Sequence, residues 1–252
     1  MDFTGKTAIA SGAASGMGLL FSQNFAALGG NVVMCDVNEE VLNEKVNEIN
    51  QKGHGKAIGV ICDVRDYNQV CAVRDKAVET FGSIDILTNF AGGTAVRMLN
   101  VDRSLEFADI PIEVYDWGID VNLKGQFYFA HACMKQMRAQ KSGLIVNIGS
   151  ITGMEGDGRG MDYPTAKSGV MFGLTKSLAQ YGSGYNVRCV CVSPGPVLTR
   201  PGMAFMKTLL GRAAQPQEII DLILFIASEK GQFINGENIM IDGGRNAAGR
   251  NC

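Results

Sequence analysis

The chain has 252 residues, of which 46% are hydrophobic and 19% charged, and its net charge is −2 at pH 7. This much apolar material excludes intrinsic disorder, and the lack of a basic excess gives nucleic-acid binding little electrostatic support. No apolar run approaches the roughly 18 residues of a membrane-spanning helix, and residues 1–6 lack the basic and apolar stretches of a signal peptide. We therefore expect a soluble, cytoplasmic protein.

Short apolar segments alternate with segments of helical spacing along the whole chain. The former predict strands at residues 6–11, 31–35, 57–62, 84–88, 144–148, 186–192 and 238–241. The latter predict helices at residues 39–51, 67–81, 112–140, 161–181 and 217–228. The strands are apolar throughout, as in a parallel sheet that is covered on both faces.

This alternation predicts an α/β protein with one doubly wound, Rossmann-type domain over residues 1–252 and a parallel seven-stranded sheet. We expect the cofactor-binding half at about residues 1–150 and the substrate half at about 150–252.

The first of the two longest predicted helices is apolar beyond a single face. Residues 112–140 carry Trp117, Val121 and Phe127 together with further apolar side chains around the circumference. A helix of this kind needs a second surface to bury against, so we expect self-association through it and through residues 161–181. The alternative is that both helices simply face the sheet.

The seven cysteines form no CxxC or Cys/His pattern of a metal site. Cys35, Cys62, Cys189 and Cys191 lie in or at the ends of predicted strands, where reduced thiols pack as small hydrophobic side chains. The two histidines also lack a recognisable partner motif. We expect structural thiols in a reducing cytosol, and no metal.

A glycine-rich loop follows the first predicted strand and opens a helix. Gly12, Gly16 and Gly18 do not have the spacing of the general dinucleotide fingerprint. Residues without a Cβ nevertheless let the backbone approach a pyrophosphate, whose charge then lies at the helix N-terminus. Ser11 and Ser15 add hydroxyls.

Asp36 ends the second strand, 18 residues after Gly18, near the roughly 20 at which an acidic side chain meets the adenosine ribose. A carboxylate there repels the additional phosphate of NADP, and Ala13, Ala14 and Val37 supply no positive charge to attract it. The sequence therefore predicts NAD as the cofactor. A role of Asp36 as a helix N-cap is the alternative and is compatible with this one.

Tyr163 and Lys167 are four residues apart, on one face of a predicted helix. A neighbouring ammonium lowers the pKa of a phenol, so Tyr163 could exchange a proton with a substrate oxygen while hydride moves to or from nicotinamide. Ser150 ends a buried strand 13 residues earlier and could hold the substrate oxygen, since parallel strands place ligands at their carboxyl ends.

With these motifs the chain resembles the short-chain dehydrogenase/reductase family, in its classical subgroup, over essentially its whole length. The motifs that carry the resemblance are the glycine loop, Asp63-Val64, Asn89 to Gly92, Asn122, Ser150, Tyr163/Lys167, residues 194–199 and residues 241–244. The resemblance implies that Tyr163 is the general acid/base and that Lys167 binds the nicotinamide ribose and lowers the pKa of Tyr163. It also implies that Ser150 orients the substrate and that Asn122 holds a water in a proton relay.

The resemblance further implies a set of residues that contact the cofactor. They are Gly12, Ser15, Gly16, Met17, Gly18, Asp36, Asp63, Val64, Asn89, Ala91, Gly92, Tyr163, Lys167, Pro194, Gly195, Val197 and Thr199. Asp63 and Val64 would flank the adenine, and Val197 and Thr199 would contact the carboxamide end. Homotetramers built through the two long helices are common in the family, so we expect a homotetramer or a dimer.

The chain departs from the family pattern in several places. Ser11 stands where Thr is usual and keeps the hydroxyl, whereas Phe90 replaces a usual Asn and removes one expected hydrogen bond. Residues 199–212 form a shorter lid than usual, and residues 93–117 form a longer segment. We expect residues 98–109 to shape the substrate pocket more than the lid does.

Two groups of loop side chains bear on the substrate. Flexible thioethers and one ring suit a broad apolar molecule such as a hydroxysteroid or bile-acid-like alcohol: Met98, Met154, Met161, Met203, Phe205 and Met206. Three arginines, Arg97, Arg159 and Arg200, suit a small anionic hydroxy compound. The alternative is that these arginines are solvated and the methionines fill gaps. The tail, residues 245–252, is expected to be loosely ordered.

These observations predict an NAD-dependent oxidoreductase that interconverts a secondary alcohol and a ketone. Its partner is a small-molecule substrate, with neither nucleic acid nor membrane. One alternative is a 3-oxoacyl-carrier-protein-type reductase, against which Asp36 and the net acidity count. Another is a non-catalytic NAD-binding regulator, which the filled positions of Asn122, Ser150, Tyr163 and Lys167 argue against.

Overall fold

The computed structural model of the protein describes residues 1–102 and 104–248. The strands are β1 (Thr7–Ser11), β2 (Asn31–Asp36), β3 (Ala57–Ile61), β4 (Ile86–Asn89), β5 (Gly143–Ile148), β6 (Val187–Pro194) and β7 (Asn238–Ile241). They form one sheet in the order β3-β2-β1-β4-β5-β6-β7, in which every neighbouring pair is parallel. The predicted α/β fold with a parallel, doubly wound, seven-stranded sheet is confirmed.

Helices connect successive strands. They are α1 (Gly16–Ala27), α2 (Glu39–Gln51), α3 (Tyr67–Phe81), α4 (Ala95–Met98), α5 (Ile112–Ile119), α6 (Gly125–Gln140), α7 (Thr152–Glu155), α8 (Asp162–Ser168), α9 (Thr175–Ser183), α10 (Pro216–Ala227) and α11 (Arg245–Ala248). Short 3-10 turns lie at Phe107–Asp109, Pro201–Phe205 and Glu229–Gly231. Two π-helical segments, Asp120–Lys124 and Gly169–Leu174, join α5 to α6 and α8 to α9. The two long helices predicted from the sequence are therefore present, each with a π segment that was not predicted.

Local sequence signals set the ends of the regular helices. The Asn38 side chain caps α2 by accepting a hydrogen bond from the Val41 N–H at 3.2 Å. Asp66 caps α3 by accepting from the Asn68 N–H at 2.8 Å, and each such cap contributes about 1 kcal/mol. At its other end α3 stops at Gly82, whose φ of +79° is open to glycine at little cost.

Both faces of the sheet are covered, which explains why most strand residues are apolar on both faces. Along β2, Val32 and Met34 belong to the core beneath α1 and α10, whereas Val33 belongs to the core beneath α3 and α6. Phe25 and Phe129 are fully buried in these two layers. Full burial of a side chain of this size contributes roughly 2–3 kcal/mol.

The six described cysteines are all free, and five of them are buried. Burial raises the pKa of the Cys133 thiol to about 12 and that of Cys191 to about 11. These thiols are neutral at physiological pH, as expected of packing residues. Cys252 lies outside the described residues.

The order of the strands determines where a ligand can bind. β1 pairs with β2 on one side and with β4 on the other, so the chain connections leave its two sides in opposite directions. A crevice opens at the carboxyl ends of strands where this reversal occurs. No described helix is long and apolar enough to cross a membrane.

Candidate active site

The glycine loop after β1 is shaped by contacts that leave no room for side chains. A Cβ on Gly18 would lie 2.3 Å from the Gly12 carbonyl oxygen, and a Cβ on Gly12 would lie 2.9 Å from the Ala91 nitrogen. Gly12 and Gly16 have φ values of +64° and +56°. The Ser11 hydroxyl fastens the same contact by accepting from the Ala91 N–H at 3.2 Å. The loop thus needs glycine both for its conformation and for close approach to the segment after β4.

The N-terminus of α1 opens from this loop with its donors available. Within the described chain, the Ser15 side chain at the N-cap makes no capping hydrogen bond. The first N–H groups of a helix have no partner inside the helix and carry partial positive charge. Together with the cradle made by Gly12 and Gly18, these donors fit the pyrophosphate of a dinucleotide.

Asp36 lies beside the loop, at the end of β2. Its Oδ2 accepts from the Ala14 N–H at 3.1 Å and its Oδ1 from the Asn38 N–H at 3.1 Å. The N-cap of α2 is Asn38, so the alternative role of Asp36 as an N-cap is wrong. Backbone donors hold this carboxylate at the rim of the crevice, where a ribose would meet it.

The crevice is a cleft of about 780 Å³ that runs from the glycine loop to the loop after β6. Eleven of the predicted cofactor contacts line it: Gly12, Ser15, Gly16, Met17, Gly18, Asp36, Asp63, Val64, Ala91, Gly92 and Thr199. Asn89 is buried at the base of the glycine loop and donates from Nδ2 to Asn147 Oδ1 at 3.0 Å. Pro194 and Val197 are buried beside the cleft, and Gly195 packs against Asp242.

Arg65 and Trp117 line the cleft beside Asp63 and were not predicted as cleft residues. Arg65 forms an ion pair with Asp63, which lowers the pKa of the Asp63 carboxyl. The Arg65 guanidinium also lies 6.0 Å from the centre of the Trp117 ring. The sequence signal was the two-residue spacing of Asp63 and Arg65, whereas nothing in the sequence pointed Trp117 toward this cleft.

Phe90 stands where the family usually has an asparagine. Its ring makes an apolar contact instead of the hydrogen bond that an asparagine would make there. Its ring centre lies 5.6 Å from that of Phe21, in the core below the glycine loop. The departure from the family pattern therefore changes how this segment is held, while Ala91 and Gly92 still line the cleft.

Lys167 is almost fully buried beside the cleft, whose lining includes Gly92 but none of Asn122, Ser150, Tyr163 and Lys167. Its Nζ donates to the Ile148 carbonyl oxygen at 2.8 Å and lies 5.5 Å from the centre of the Tyr163 ring. A Cβ on Gly92 would lie 3.5 Å from this Nζ. Burial lowers the pKa of the Lys167 ammonium to about 8. The ammonium lies between the carboxyl end of β5 and the segment after β4, beside the phenol.

Asn122 is buried in the first π segment and hydrogen-bonds to the segment that follows β4. Its Oδ1 accepts from the Gly93 N–H at 3.0 Å, and its Nδ2 donates to the Gly93 carbonyl at 2.9 Å and to the Gly118 carbonyl at 2.8 Å. The side chain is thus engaged by protein groups. Its backbone carbonyl accepts from Gln126 Nε2 at 3.1 Å.

Ser150 and Tyr163 come together beside Lys167. Burial raises the pKa of the Tyr163 phenol, and a hydrogen bond from Ser150 and the charges of Arg200 and Arg97 offset part of that rise. In the chain without cofactor the pKa of the Tyr163 phenol is therefore raised, and its lowering by Lys167 stays a prediction. The arrangement joins a phenol, a hydroxyl and an ammonium, which can exchange a proton with a substrate oxygen.

Asp162 precedes Tyr163 and was missed by the sequence analysis. Its carboxylate is buried against Gly118, where a Cβ would lie 1.8 Å from Oδ2. Neither oxygen makes a hydrogen bond of standard geometry to a described residue. Burial raises the pKa of this carboxyl, and no sequence pattern distinguished it from an exposed aspartate at a helix start.

The loop residues that the sequence suggested as substrate contacts lie in different parts of the structure. Met98, Arg97 and Arg200 line the cleft. Met154 and Met161 line a second groove of about 1320 Å³ between α7 and α8. The other grouped residues line neither space: Arg159, Met203, Phe205 and Met206.

Arg245, at the start of the tail, hydrogen-bonds to two distant segments of the chain. Its guanidinium donates to the Glu155 carboxylate at 2.7 Å and 3.0 Å, and to the Lys207 carbonyl at 3.1 Å. The start of the tail is thus joined to the loop after β5 and to the lid. In the part of the chain that the structure describes, no group of three or more metal-binding side chains is assembled.

Comparison with known proteins adds sequence relatives to this geometry. A family profile described as enoyl-(acyl carrier protein) reductase matches residues 12–246. The chain is 41% identical to trans-4-hydroxycyclohexanecarboxylate dehydrogenase of Sinomonas cyclohexanicum, with 96% of this chain and 93% of the relative covered. It is 33% identical to a 3-oxoacyl-[acyl-carrier-protein] reductase of Thermotoga maritima (97% and 99% covered). It is 31% identical to the 7alpha-hydroxysteroid dehydrogenase of Bacteroides fragilis (96% and 95% covered).

Proposed function

The chain belongs to the short-chain dehydrogenase/reductase family, and from this we propose that it is an NAD-dependent enzyme interconverting a secondary alcohol and its ketone. The observation that carries the proposal is the placement of Lys167, with Tyr163 at its side, next to Gly92 in the wall of the cleft that begins at the glycine loop. The cradle of glycines and the acidic rim then hold the dinucleotide so that its reactive end lies beside the phenol.

Four side chains divide the chemistry. NAD, held by the glycine loop and the Asp36 carboxylate, would supply the acceptor for a hydride from the carbinol carbon in oxidation, and NADH would supply the hydride in reduction. Tyr163 removes the hydroxyl proton in oxidation and supplies it to the carbonyl oxygen in reduction. Ser150 holds the substrate oxygen beside the phenol, and Lys167 binds the cofactor ribose and favours the phenolate. Asn122 holds the segment after β4 in place and, through its carbonyl, a water of the proton relay.

Asp36 selects NAD over NADP in this proposal. The wild type is expected to bind NADH at least about tenfold more tightly than NADPH, because the carboxylate repels a 2′-phosphate. Asp36→Asn removes the charge and keeps an oxygen for the Ala14 N–H. We expect it to narrow the preference to about threefold or less. Energy transfer from Trp117, the single tryptophan and a residue of the cleft, reports binding.

A matched control is Asp75→Asn, because Asp75 is an exposed carboxylate on α3 outside the cleft. The control should keep the preference of the wild type. Equal or tighter binding of NADPH by the wild type would show that the assignment of the cofactor is wrong.

The substrate classes that we propose are a small anionic hydroxy compound and a hydroxysteroid or bile-acid-like alcohol. The names of the Sinomonas and Bacteroides relatives support these two classes. A 3-oxoacyl-carrier-protein-type reductase is the second candidate, favoured by the Thermotoga relative and by the description of the family profile.

NADH formation or consumption tests the proposal with a fixed panel. The panel contains trans-4-hydroxycyclohexanecarboxylate, its carboxamide, cyclohexanol, a 7α-hydroxysteroid and an acetoacetyl thioester. Oxidation of any of the alcohols with NAD supports the dehydrogenase. Turnover of the thioester alone, with NADPH, would favour the second candidate, and no turnover of any member would count against the proposed function.

We also propose that the chain works as a homotetramer or dimer in a reducing cytoplasm. Large apolar side chains on the outer faces of the long helices support this: Ile112, Phe127, Phe172 and Tyr181 are 41–64% exposed. Phe127→Glu is expected to shift the assembly toward smaller species in analytical ultracentrifugation, because a charge cannot be buried unpaired there. Ile61→Glu, on the sheet edge, should leave it unchanged. A monomeric wild type would contradict the proposal.

A further inference from the structure

Two arginines from separate loops lie on either side of the reacting centre. Arg97 is in α4, which follows β4, and Arg200 directly precedes the 3-10 turn that follows β6. β4 and β6 are the two neighbours of β5 in the sheet, and Ser150 follows the end of β5. Because the carboxyl ends of parallel strands meet at one edge, this topology brings both arginines to the two sides of Ser150.

Both side chains belong to the cleft. Each lines it together with Gly92 and Thr199. The Arg97 guanidinium lies back over the loop after β4, since a Cβ on Gly93 would come within 2.8 Å of Nη2. Both positive charges also act on the Tyr163 phenol and lower its pKa. Both guanidiniums border the cleft at Gly92, which also lies next to Lys167, so a molecule bound beside the phenol would meet them.

The charges along the cleft are separated. Its two carboxylates, Asp36 and Asp63, lie at the adenosine end, and Asp63 is paired with Arg65. At the catalytic end, the lining residues that the structure describes carry positive charge from Arg97 and Arg200 and no carboxylate. Within the same described residues, Arg200 takes part in no ion pair. An anion is therefore attracted to this end of the cleft, away from the carboxylates at the other end.

We propose that Arg97 and Arg200 bind a carboxylate or sulfonate of the substrate, so that the enzyme acts on small anionic hydroxy compounds in preference to uncharged alcohols. This inference rests on the proposed function and specifies its substrate class. A guanidinium presents parallel N–H donors that match a carboxylate or sulfonate, and its charge strengthens each hydrogen bond. Anchoring the anionic group fixes the distance to Tyr163, which orients the carbinol for proton transfer.

The first experiment compares trans-4-hydroxycyclohexanecarboxylate with its carboxamide, which has the same shape without the charge. We expect kcat/KM of the wild type to be at least about 100-fold higher for the acid. Arg200→Gln and Arg97→Gln should each lower the value for the acid by about tenfold to 100-fold, mainly through KM. The value for the amide should change by less than about threefold. Arg159→Gln is the matched control, because Arg159 does not line the cleft, and it should resemble the wild type.

A second measurement does not depend on turnover. Cyclohexanecarboxylate and cyclohexanecarboxamide are titrated into the enzyme–NADH complex, with NADH fluorescence as the readout. The acid should bind, the amide should bind at least about tenfold more weakly, and Arg200→Gln should remove the difference. NADH affinity itself should remain unchanged in the arginine variants.

The outcomes separate this inference from the proposed function. Equal kcat/KM for acid and amide would overturn the role of the arginines while leaving the dehydrogenase intact. Arg97→Gln and Arg200→Gln could instead bind NADH more weakly and keep the preference for the acid. That result would assign the two arginines to the cofactor and would also overturn their role in substrate binding. If no member of the panel is oxidised, equal or absent binding of the two cyclohexane probes would still overturn it.

Discussion

Tyr163→Phe is expected to lower kcat for alcohol oxidation and for ketone reduction by about 10²-fold to 10⁴-fold, the contribution of a positioned proton donor and acceptor. The substitution removes one oxygen and keeps the ring beside Lys167, so the fold and the cleft are preserved. NADH affinity, measured by energy transfer from Trp117, should therefore stay within about twofold of the wild type.

Tyr115→Phe is the matched control, because Tyr115 is buried and its hydroxyl donates a hydrogen bond to the Phe107 carbonyl at 3.3 Å. The same atom is deleted there without a change at the reacting centre, and turnover should persist. Retained turnover in Tyr163→Phe, with correct folding, would refute the assignment of this residue as the acid/base.

The direction of the pH dependence follows from the raised pKa of Tyr163. Oxidation needs the phenolate, so kcat/KM for the alcohol should rise with pH through the alkaline range. Reduction needs the phenol, so kcat/KM for the ketone should fall over the same range. Both slopes should disappear in Tyr163→Phe, and identical profiles in the two directions would contradict the assignment.

Lys167→Met is expected to abolish most of the activity and, at the same time, to stabilise the protein without cofactor. The buried ammonium has a pKa of about 8 instead of 10.5, which corresponds to a cost of up to about 3 kcal/mol while the group is charged. Methionine has a similar shape without a charge. The Ile148 carbonyl keeps a second donor, Gln126 Nε2 at 3.1 Å, so it is not left unpaired.

The stabilisation expected from Lys167→Met depends on pH, and the direction of this dependence can be derived. Below pH 8 the lysine is charged in both the folded and unfolded states, and the full penalty destabilises the wild type. Between about 8 and 10.5 only the unfolded state binds the proton, so the free energy of unfolding of the wild type rises with pH. The advantage of Lys167→Met should shrink over this range. Urea unfolding followed by Trp117 fluorescence measures the difference.

Lys124→Met is a control in which loss of the ammonium should lower the free energy of unfolding instead of raising it. Lys124 pairs with Asp120 at 2.8 Å on the surface, and this hydrogen bond raises the pKa of its ammonium. Its small stabilising effect is present below the unfolded-state pKa and is lost as the pH rises through the folded-state value. A destabilised Lys167→Met at pH 7, with Lys124→Met behaving as described, would show that the ammonium contributes net stability without cofactor.

Much of the fold was predictable because it depends on local patterns. The apolar strands, the capped helices α2 and α3, and the glycine loop all carry signals within a few residues. Asp36 was predictable as well, since its position depends only on where β2 ends. Each of these inferences used spacing along the chain rather than contacts across it.

The unpredicted features depend on contacts across the chain. A π segment adds one residue to a helical turn without changing the composition, so the apolar spacing of residues 112–140 did not reveal the turn around Asn122. Arg97 and Arg200 line the cleft whereas Arg159 does not. This difference depends on which strands are neighbours in the sheet, and no local sequence pattern contains that information. The pKa of Tyr163 follows from its burial, and the nearby lysine that the sequence suggested does not decide its direction.

The pairing of β1 with β4 and the packing of Gly195 on Asp242 have a consequence for synthesis on the ribosome. The glycine loop makes its contact with Ala91 only after β4 has been synthesised, whereas the loop after β6 packs on Asp242, close to the end of the described chain. The two ends of the cleft are therefore completed in order along the chain, the end at the glycine loop first. Until β7 emerges, β6 is an open edge with unpaired backbone groups, and the nascent chain is then most exposed to aggregation.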